Sequence, residues 1–131
     1  MPTTAAPFLM FEGKAEEAID FYVSVLPDSH IISTDRYGPG EPGPEGTVKL
    51  GRASIAGLTV LFSDSYVKHA FTFTPSISLF VTCRSEEEIE RLSATLAKDG
   101  AQLMPLANYG FSRKFAWVAD RFGVSWQLNL E

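Results

Sequence analysis

The sequence predicts an α+β protein built from two βαβββ modules, whose strands form a curved mixed sheet with the helices on its outer face. Three observations predict this fold. The order strand, helix, three strands occurs twice, and several segments alternate apolar and polar residues as half-buried strands do. Short matches also recur at a spacing of about 70 residues. Module one covers about residues 1–66 and module two about residues 67–131 of a single domain.

The recurring matches keep their order along the chain. EEAI at 16–19 returns as EEEI at 86–89, RYG at 36–38 resembles NYG at 108–110, and GLTVLF at 57–62 resembles GVSWQL at 123–128. Each module is too small to bury its own sheet fully, so we expect the two to pair and to leave the concave face lining a cleft.

The first module begins with a strand and a helix. FLMF at 8–11 is a short apolar run with two aromatic residues, which indicates a strand. KAEEAIDFYVSVL at 14–26 places apolar residues at helical spacing, with Glu16 and Glu17 near the positive end of the helix dipole. Pro27 ends the helix.

Three strands complete the first module. Residues 31–37 form the first of them. GPGEPGPEG at 38–46 has seven Gly or Pro residues, so it is a loop. Residues 48–53 and 58–63 then form a hairpin.

The second module repeats the pattern. SISLFVTC at 76–83 is predicted as a strand, and residues 85–100 as a helix with a serine cap and a terminal glycine. Residues 101–106, 115–119 and 124–130 supply the last three strands.

Composition restricts the partners and the compartment. The formal net charge is -5 and no clustered basic surface is visible, which argues against nucleic acid or an anionic membrane as partner. No apolar stretch approaches the roughly 20 residues that span a bilayer, and no secretory signal precedes the first strand. The single cysteine, Cys83, excludes an internal disulfide, so we expect a cytoplasmic protein.

Alternation in three strands predicts a mixed concave face. In residues 124–130, for example, Trp126 falls on the apolar, helix-facing side and Gln127 on the polar side. Small polar groups among apolar walls are typical of a small-molecule pocket, although a face open to bulk water has the same pattern. The predicted ligand-binding residues are Phe11, Leu61, Ser76, Ser78, Phe80, Trp117, Ser125, Gln127 and Asn129.

His69 is the other candidate. It lies among Tyr66, Phe71 and Phe73, where it would serve as a general base at the mouth of a cleft or pack among the aromatic rings without a chemical role. No orienting carboxylate is evident from the sequence, and no catalytic residue is assigned.

Four segments together resemble the glyoxalase and bleomycin-resistance superfamily, also called the vicinal oxygen chelate fold. They are FLMFEGKAEEAIDFYVSVLPDS, RYGPGEPGPEG, FTFTPSISLFV and DRFGVSWQL, and they occur in this order over nearly the whole length of the chain, from residue 8 to residue 128. More closely, the sequence resembles the PhnB-like branch, often labelled 3-demethylubiquinone-9 3-methyltransferase-like. A methyl donor carrying adenosine usually requires a larger parallel-sheet fold with a glycine-rich turn, so methyl transfer is not expected here.

The resemblance also locates the positions where the superfamily's metal enzymes carry His, Glu or Gln. In this chain those positions fall at about Pro7, at Ser76 or Ser78, at Leu61 and at Gln127. One neutral amide cannot replace the imidazole and carboxylate donors of a transition-metal site, so we predict no metal and no other cofactor.

Two functions follow from the resemblance. The first is a metal-free module that encloses a small, partly apolar molecule. The alternative is an enzyme of the same fold, of lyase, dioxygenase or isomerase type. The superfamily commonly completes its clefts by pairing chains, so a homodimer is expected in either case.

Overall fold

A computed structural model describes all residues, 1–131. The chain separates into two compact units, Met1–His69 and Ala70–Glu131. Neither helix is long and apolar enough to cross a bilayer.

The first unit contains one helix and a four-stranded mixed sheet. Its elements are β1 (Phe8–Phe11), α1 (Ala15–Val25), β2 (His30–Arg36), β3 (Val48–Ile55) and β4 (Leu58–Asp64). The strand order is β1-β4-β3-β2, in which β1 is parallel to β4 and the other pairs are antiparallel. The β3–β4 hairpin turns at Ala56 and Gly57, which both have positive φ, as a tight two-residue turn requires.

The second unit repeats this topology. Its elements are β5 (Leu79–Thr82), α2 (Glu86–Ala97), β6 (Ala101–Ala107), β7 (Lys114–Ala119) and β8 (Ser125–Leu130). The strand order is β5-β8-β7-β6, again with the first pair parallel. The predicted pair of βαβββ modules is confirmed.

The two helices begin in different ways. Ser85 caps α2 locally, because its hydroxyl accepts a hydrogen bond from the Glu88 N–H at 3.1 Å. At the start of α1, Lys14 makes no such bond. Asp64, at the end of β4, instead accepts hydrogen bonds from the N–H groups of Gly13 and Ala15, at 2.8 and 2.9 Å.

The alternation predicted for residues 124–130 is confirmed. Trp126 and Leu128 are fully buried, and α2 packs on β7 and β8. The Trp126 indole N–H donates to the Asp120 carboxylate at 2.9 Å, which satisfies its polar edge inside the core. Gln127, between them, is only half-buried, so it lies on the other face of the sheet.

The strand predicted at 76–83 is wrong in its length. Only Leu79–Thr82 pairs with β8, and Ile77 is 73% exposed. The reason is that β8 itself begins at Ser125, after a turn closed by the hydrogen bond from the Gly123 N–H to the Asp120 carbonyl, so residues before Ser78, whose hydroxyl bonds that of Ser125, have no strand beside them.

Candidate functional site

The second unit's sheet has one face covered by α2 and one opposite face, which we call the open face. Across the four strands, Phe80 stands opposite Gln127, Gln127 opposite Trp117, and Trp117 opposite Met104. Paired residues share a face, so these four side chains form one row on the open face. The next row is Thr82, Asn129, Phe115 and Ala107.

A chain of hydrogen bonds joins the polar groups of this face. The Trp117 indole N–H donates to the Ser125 hydroxyl at 2.8 Å. The hydroxyls of Ser125 and Ser78 are 2.7 Å apart, and the Gln127 amide nitrogen donates to Ser78 at 3.3 Å. Ser125 is 2% exposed, whereas Ser78, Trp117 and Gln127 are half-buried. The network therefore holds three partly accessible side chains around a buried hydroxyl.

Aromatic rings flank the network. Phe115 makes edge contacts with Tyr109 and Phe111, at centroid distances of 6.3 and 5.0 Å. Phe111 and Phe80 remain 64% and 59% exposed. Small-molecule sites commonly combine aromatic rings, which contact the apolar part of a molecule, with a few fixed polar groups, which orient it.

The structure brings together six of the predicted site residues. They are Ser78, Phe80, Trp117, Ser125, Gln127 and Asn129. Ser76 is exposed and bonds only to the Thr74 hydroxyl, at 2.7 Å, so it lies outside the network.

Phe11 and Leu61 do not share a face of the first unit's sheet. Leu61 pairs with Phe8, whereas Phe11 pairs with Asp64 and is 4% exposed. Residues an odd number of positions apart on a strand point to opposite sides, so Phe11 lies on the buried side and Leu61 on the other.

His69 belongs to the first unit. Its Nε2 is 2.9 Å from the Ser65 hydroxyl, and that hydroxyl also bonds the backbone N–H and carbonyl of Val67. Ser65 lines a groove of 260 Å³ between Pro44 and Lys68. The Ser65 hydroxyl is therefore already hydrogen-bonded within its own loop. The general-base role of His69 stays a prediction.

No three His, Cys, Asp or Glu side chains come together in a group that could hold a metal ion. Within each unit, the positions that the resemblance assigned to metal ligands are near one another. The Leu61 N–H bonds the Pro7 carbonyl at 2.9 Å, and Gln127 bonds Ser78. A carbonyl, an alkyl chain, an amide and a hydroxyl do not fit a transition metal. The absence of a bound metal stays a prediction.

Sequence reasoning missed Phe115, which belongs to the open face. The signal was present, because Phe115 is two residues before Trp117 on the same strand, and such residues share a face. The contacts of Phe115 with Tyr109 and Phe111 had no comparable signal, since they depend on how the 108–113 segment folds back over β7.

Comparisons with a family model, with known sequences and with solved structures relate this chain to known proteins. A family model described as 3-demethylubiquinone-9 3-methyltransferase matches residues 3–129. One solved structure is a PhnB protein from Bacillus cereus that carries the same family description, and its sequence is 53% identical to this chain. The two structures superpose with a TM-score of 0.95 over 98% of this chain and 100% of that one. Protein YjdN of Escherichia coli is 25% identical over 95% of this chain and 93% of its own length.

A more distant structure shows the fold alone. It is a glyoxylase, bleomycin resistance protein and dioxygenase domain from Frankia, which is 15% identical with a TM-score of 0.67 over 99% of this chain and 92% of that one.

Proposed function

The chain belongs to the 3-demethylubiquinone-9 3-methyltransferase family, a PhnB-like branch of the glyoxalase and bleomycin-resistance superfamily, and on this premise we propose that it binds a small, partly apolar molecule without a metal. The proposed site is the open face of the second unit. Its proposed ligand contacts are the accessible residues of that face, Ser78, Phe80, Trp117, Gln127 and Asn129, while Ser125 and Phe115, which are 2% and 6% exposed, are buried and hold their neighbours in place.

One observation carries the proposal, the hydrogen-bonded network of Trp117, Ser125, Ser78 and Gln127. A sheet face that only meets bulk water has no need for fixed side chains, because water satisfies each polar group singly. Here the buried Ser125 hydroxyl holds the Trp117 indole and the Ser78 hydroxyl, and Ser78 in turn holds the Gln127 amide, while the rings of Phe80 and Phe111 stay exposed. Preorganised polar groups with exposed aromatic walls lower the ordering cost of binding a molecule.

A thermal-shift screen of a metabolite library tests the binding function. A ligand present at 100 times its Kd stabilises a protein by about 2.7 kcal/mol, which raises the Tm of a domain of this size by roughly 10 °C. Gln127→Ala should abolish or reduce the shift, whereas Ser76→Ala, outside the network, should leave it intact. A ligand that shifts both variants as much as the wild type would show that it binds elsewhere.

We also propose that the protein is a homodimer. Both sheets have exposed edge strands, and apolar side chains such as Phe8 and Ile32 in the first unit are about half exposed. Unpaired edges and exposed apolar groups favour association with a second copy, which hides both. Light scattering at micromolar concentration should give twice the mass of the chain. A monomer mass would refute this proposal.

We place the protein in the cytoplasm, because its one cysteine is a buried free thiol and a reducing compartment suits such a thiol. Cell fractionation with an antibody against the chain tests this, and recovery in a secreted or membrane fraction would contradict it.

A further inference from the structure

The hydrogen-bonded network on the open face has a fixed direction, which follows from where each proton can go. The Trp117 indole nitrogen only donates, so the Ser125 oxygen must accept from it. Ser125 is 2% exposed and its hydroxyl has one other partner, the Ser78 oxygen. A buried hydroxyl proton without an acceptor is costly, and no buried side-chain polar atom lacks a partner in this structure. Ser125 therefore donates its proton to Ser78.

This direction leaves Ser78 as a donor. Its oxygen accepts from Ser125 at 2.7 Å and from the Gln127 amide at 3.3 Å, which uses both of its lone pairs. Its own proton has no acceptor within the protein, and the side chain is half-buried rather than fully solvated. Gln127 uses its amide N–H here, so its carbonyl oxygen remains an acceptor.

The strand residues of this face include no ionisable group. They are Phe80, Thr82, Ala101, Met104, Ala107, Phe115, Trp117, Ala119, Ser125, Gln127 and Asn129. A charged ligand group brought onto these strands would lose water and meet no counter-charge from them, which is unfavourable. Flat apolar molecules are matched instead by the accessible rings of Trp117 and Phe80.

From these observations we infer the class of ligand, resting on the binding function proposed above. The site takes an uncharged, planar ring compound that presents an acceptor oxygen, such as a ring carbonyl, to the Ser78 hydroxyl. Ser78 is then the residue that selects for the acceptor, and Trp117 and Ser125 position its proton.

The two tryptophans allow a direct test by NMR in ¹⁵N-labelled protein. The indole N–H signal of Trp117 reports on the open face, and that of Trp126, bonded to Asp120 in the core, serves as an internal control. Three probes are titrated: coumarin, a neutral ring with a carbonyl acceptor; coumarin-3-carboxylate, its anion; and indole, a neutral ring with only a donor. Coumarin should shift the Trp117 signal alone, and the anion should bind more weakly by more than about tenfold.

Variants at Ser78 then isolate the hydroxyl. Ser78→Ala should weaken coumarin binding by roughly three- to tenfold, the range expected for one hydrogen bond, and leave indole within about twofold. Ser78→Thr keeps a hydroxyl and should restore coumarin binding. Ser76→Ala, outside the network, should change neither probe. An unchanged Trp126 signal in each variant confirms that the unit is folded.

Three results would overturn the inference. If coumarin binds Ser78→Ala as tightly as the wild type, or the anion binds as tightly as coumarin, the face binds small molecules but not by this selection, and the proposed function stands. If no probe shifts the Trp117 signal, the ligand class is wrong, while the metabolite screen with Gln127→Ala judges the binding function independently.

Discussion

Asp64 ties the first unit together, so its replacement by asparagine should be strongly destabilising. One carboxylate oxygen accepts from the N–H groups of Gly13 and Ala15, at 2.8 and 2.9 Å, and the other accepts from the Val48 N–H at 3.0 Å. The side chain thereby joins the end of β4 to the start of α1 and to the start of β3. Asp64 is 5% exposed, so water cannot replace these bonds.

The magnitude follows from what an amide can still do. Asparagine can direct its one oxygen to the two N–H groups at α1, but its NH₂ group then faces the Val48 N–H, donor against donor. The loss of one charge-assisted hydrogen bond costs about 1.5–3 kcal/mol. Removal of a negative charge from a helix N-terminus costs about 0.3–1 kcal/mol more. Asp64→Asn should therefore lower the free energy of unfolding by about 2–4 kcal/mol.

Urea unfolding followed by far-UV circular dichroism measures this change. Both tryptophans lie in the second unit, so fluorescence followed in parallel shows whether that unit unfolds with the first or separately. The exposed Asp20→Asn on α1 is the matched control and should stay within about 0.5 kcal/mol of the wild type. If Asp64→Asn is no less stable than Asp20→Asn, the capping role assigned to Asp64 is wrong.

Four further predictions concern the second unit and the metal. Trp126→Ala should cost about 3–5 kcal/mol of stability because the indole is fully buried, whereas Gln127→Ala should cost about 1 kcal/mol or less; similar losses in urea titrations would mean that the register is off by one residue. Hydrogen bonds from the Arg84 backbone N–H and guanidinium lower the pKa of Glu88, so its carboxylate stabilises the fold at neutral pH, and this contribution is lost as the pH falls through that lowered pKa. The stability difference between wild type and Glu88→Gln should accordingly shrink towards pH 3, and a difference that is constant with pH would contradict it. Burial raises the pKa of the Cys83 thiol to about 11, so iodoacetamide at pH 8 should label it only after unfolding, and rapid labelling of the native protein would argue against its burial. Elemental analysis of protein purified without chelator should find no stoichiometric transition metal. Near-stoichiometric zinc, nickel or iron would refute the prediction that the protein binds no metal.

The sequence alone determined the elements and the faces of the strands, because both depend on local periodicity. Side chains alternate along any strand, so the pattern of residues 124–130 was enough to place Trp126 in the core and Gln127 on the opposite face. The cap of α2 was equally local, since Ser85 and the N–H it satisfies are three residues apart. The repeated order of elements predicted the paired modules in the same way.

The sequence also predicted part of the site. Ser78, Ser125 and Gln127 were assigned to one face by alternation alone, and the structure places them there. Alternation could not show that they bond to one another, because Ser78 and Ser125 are 47 residues apart. Phe11 was also predicted as a site residue, whereas its pairing with Asp64 turns the ring to the buried side.

Only the tertiary structure decided which distant groups meet. The N-terminus of α1 has no local cap, and the carboxylate that serves it comes from Asp64, about 50 residues later, a link with no signature near the helix. The length of β5 likewise depends on where β8 begins, and the direction of the Trp117, Ser125 and Ser78 hydrogen bonds depends on the burial of Ser125. Periodicity fixes the side of a strand on which a residue lies, but register between strands fixes its neighbours, and register is set by the packing of the whole unit.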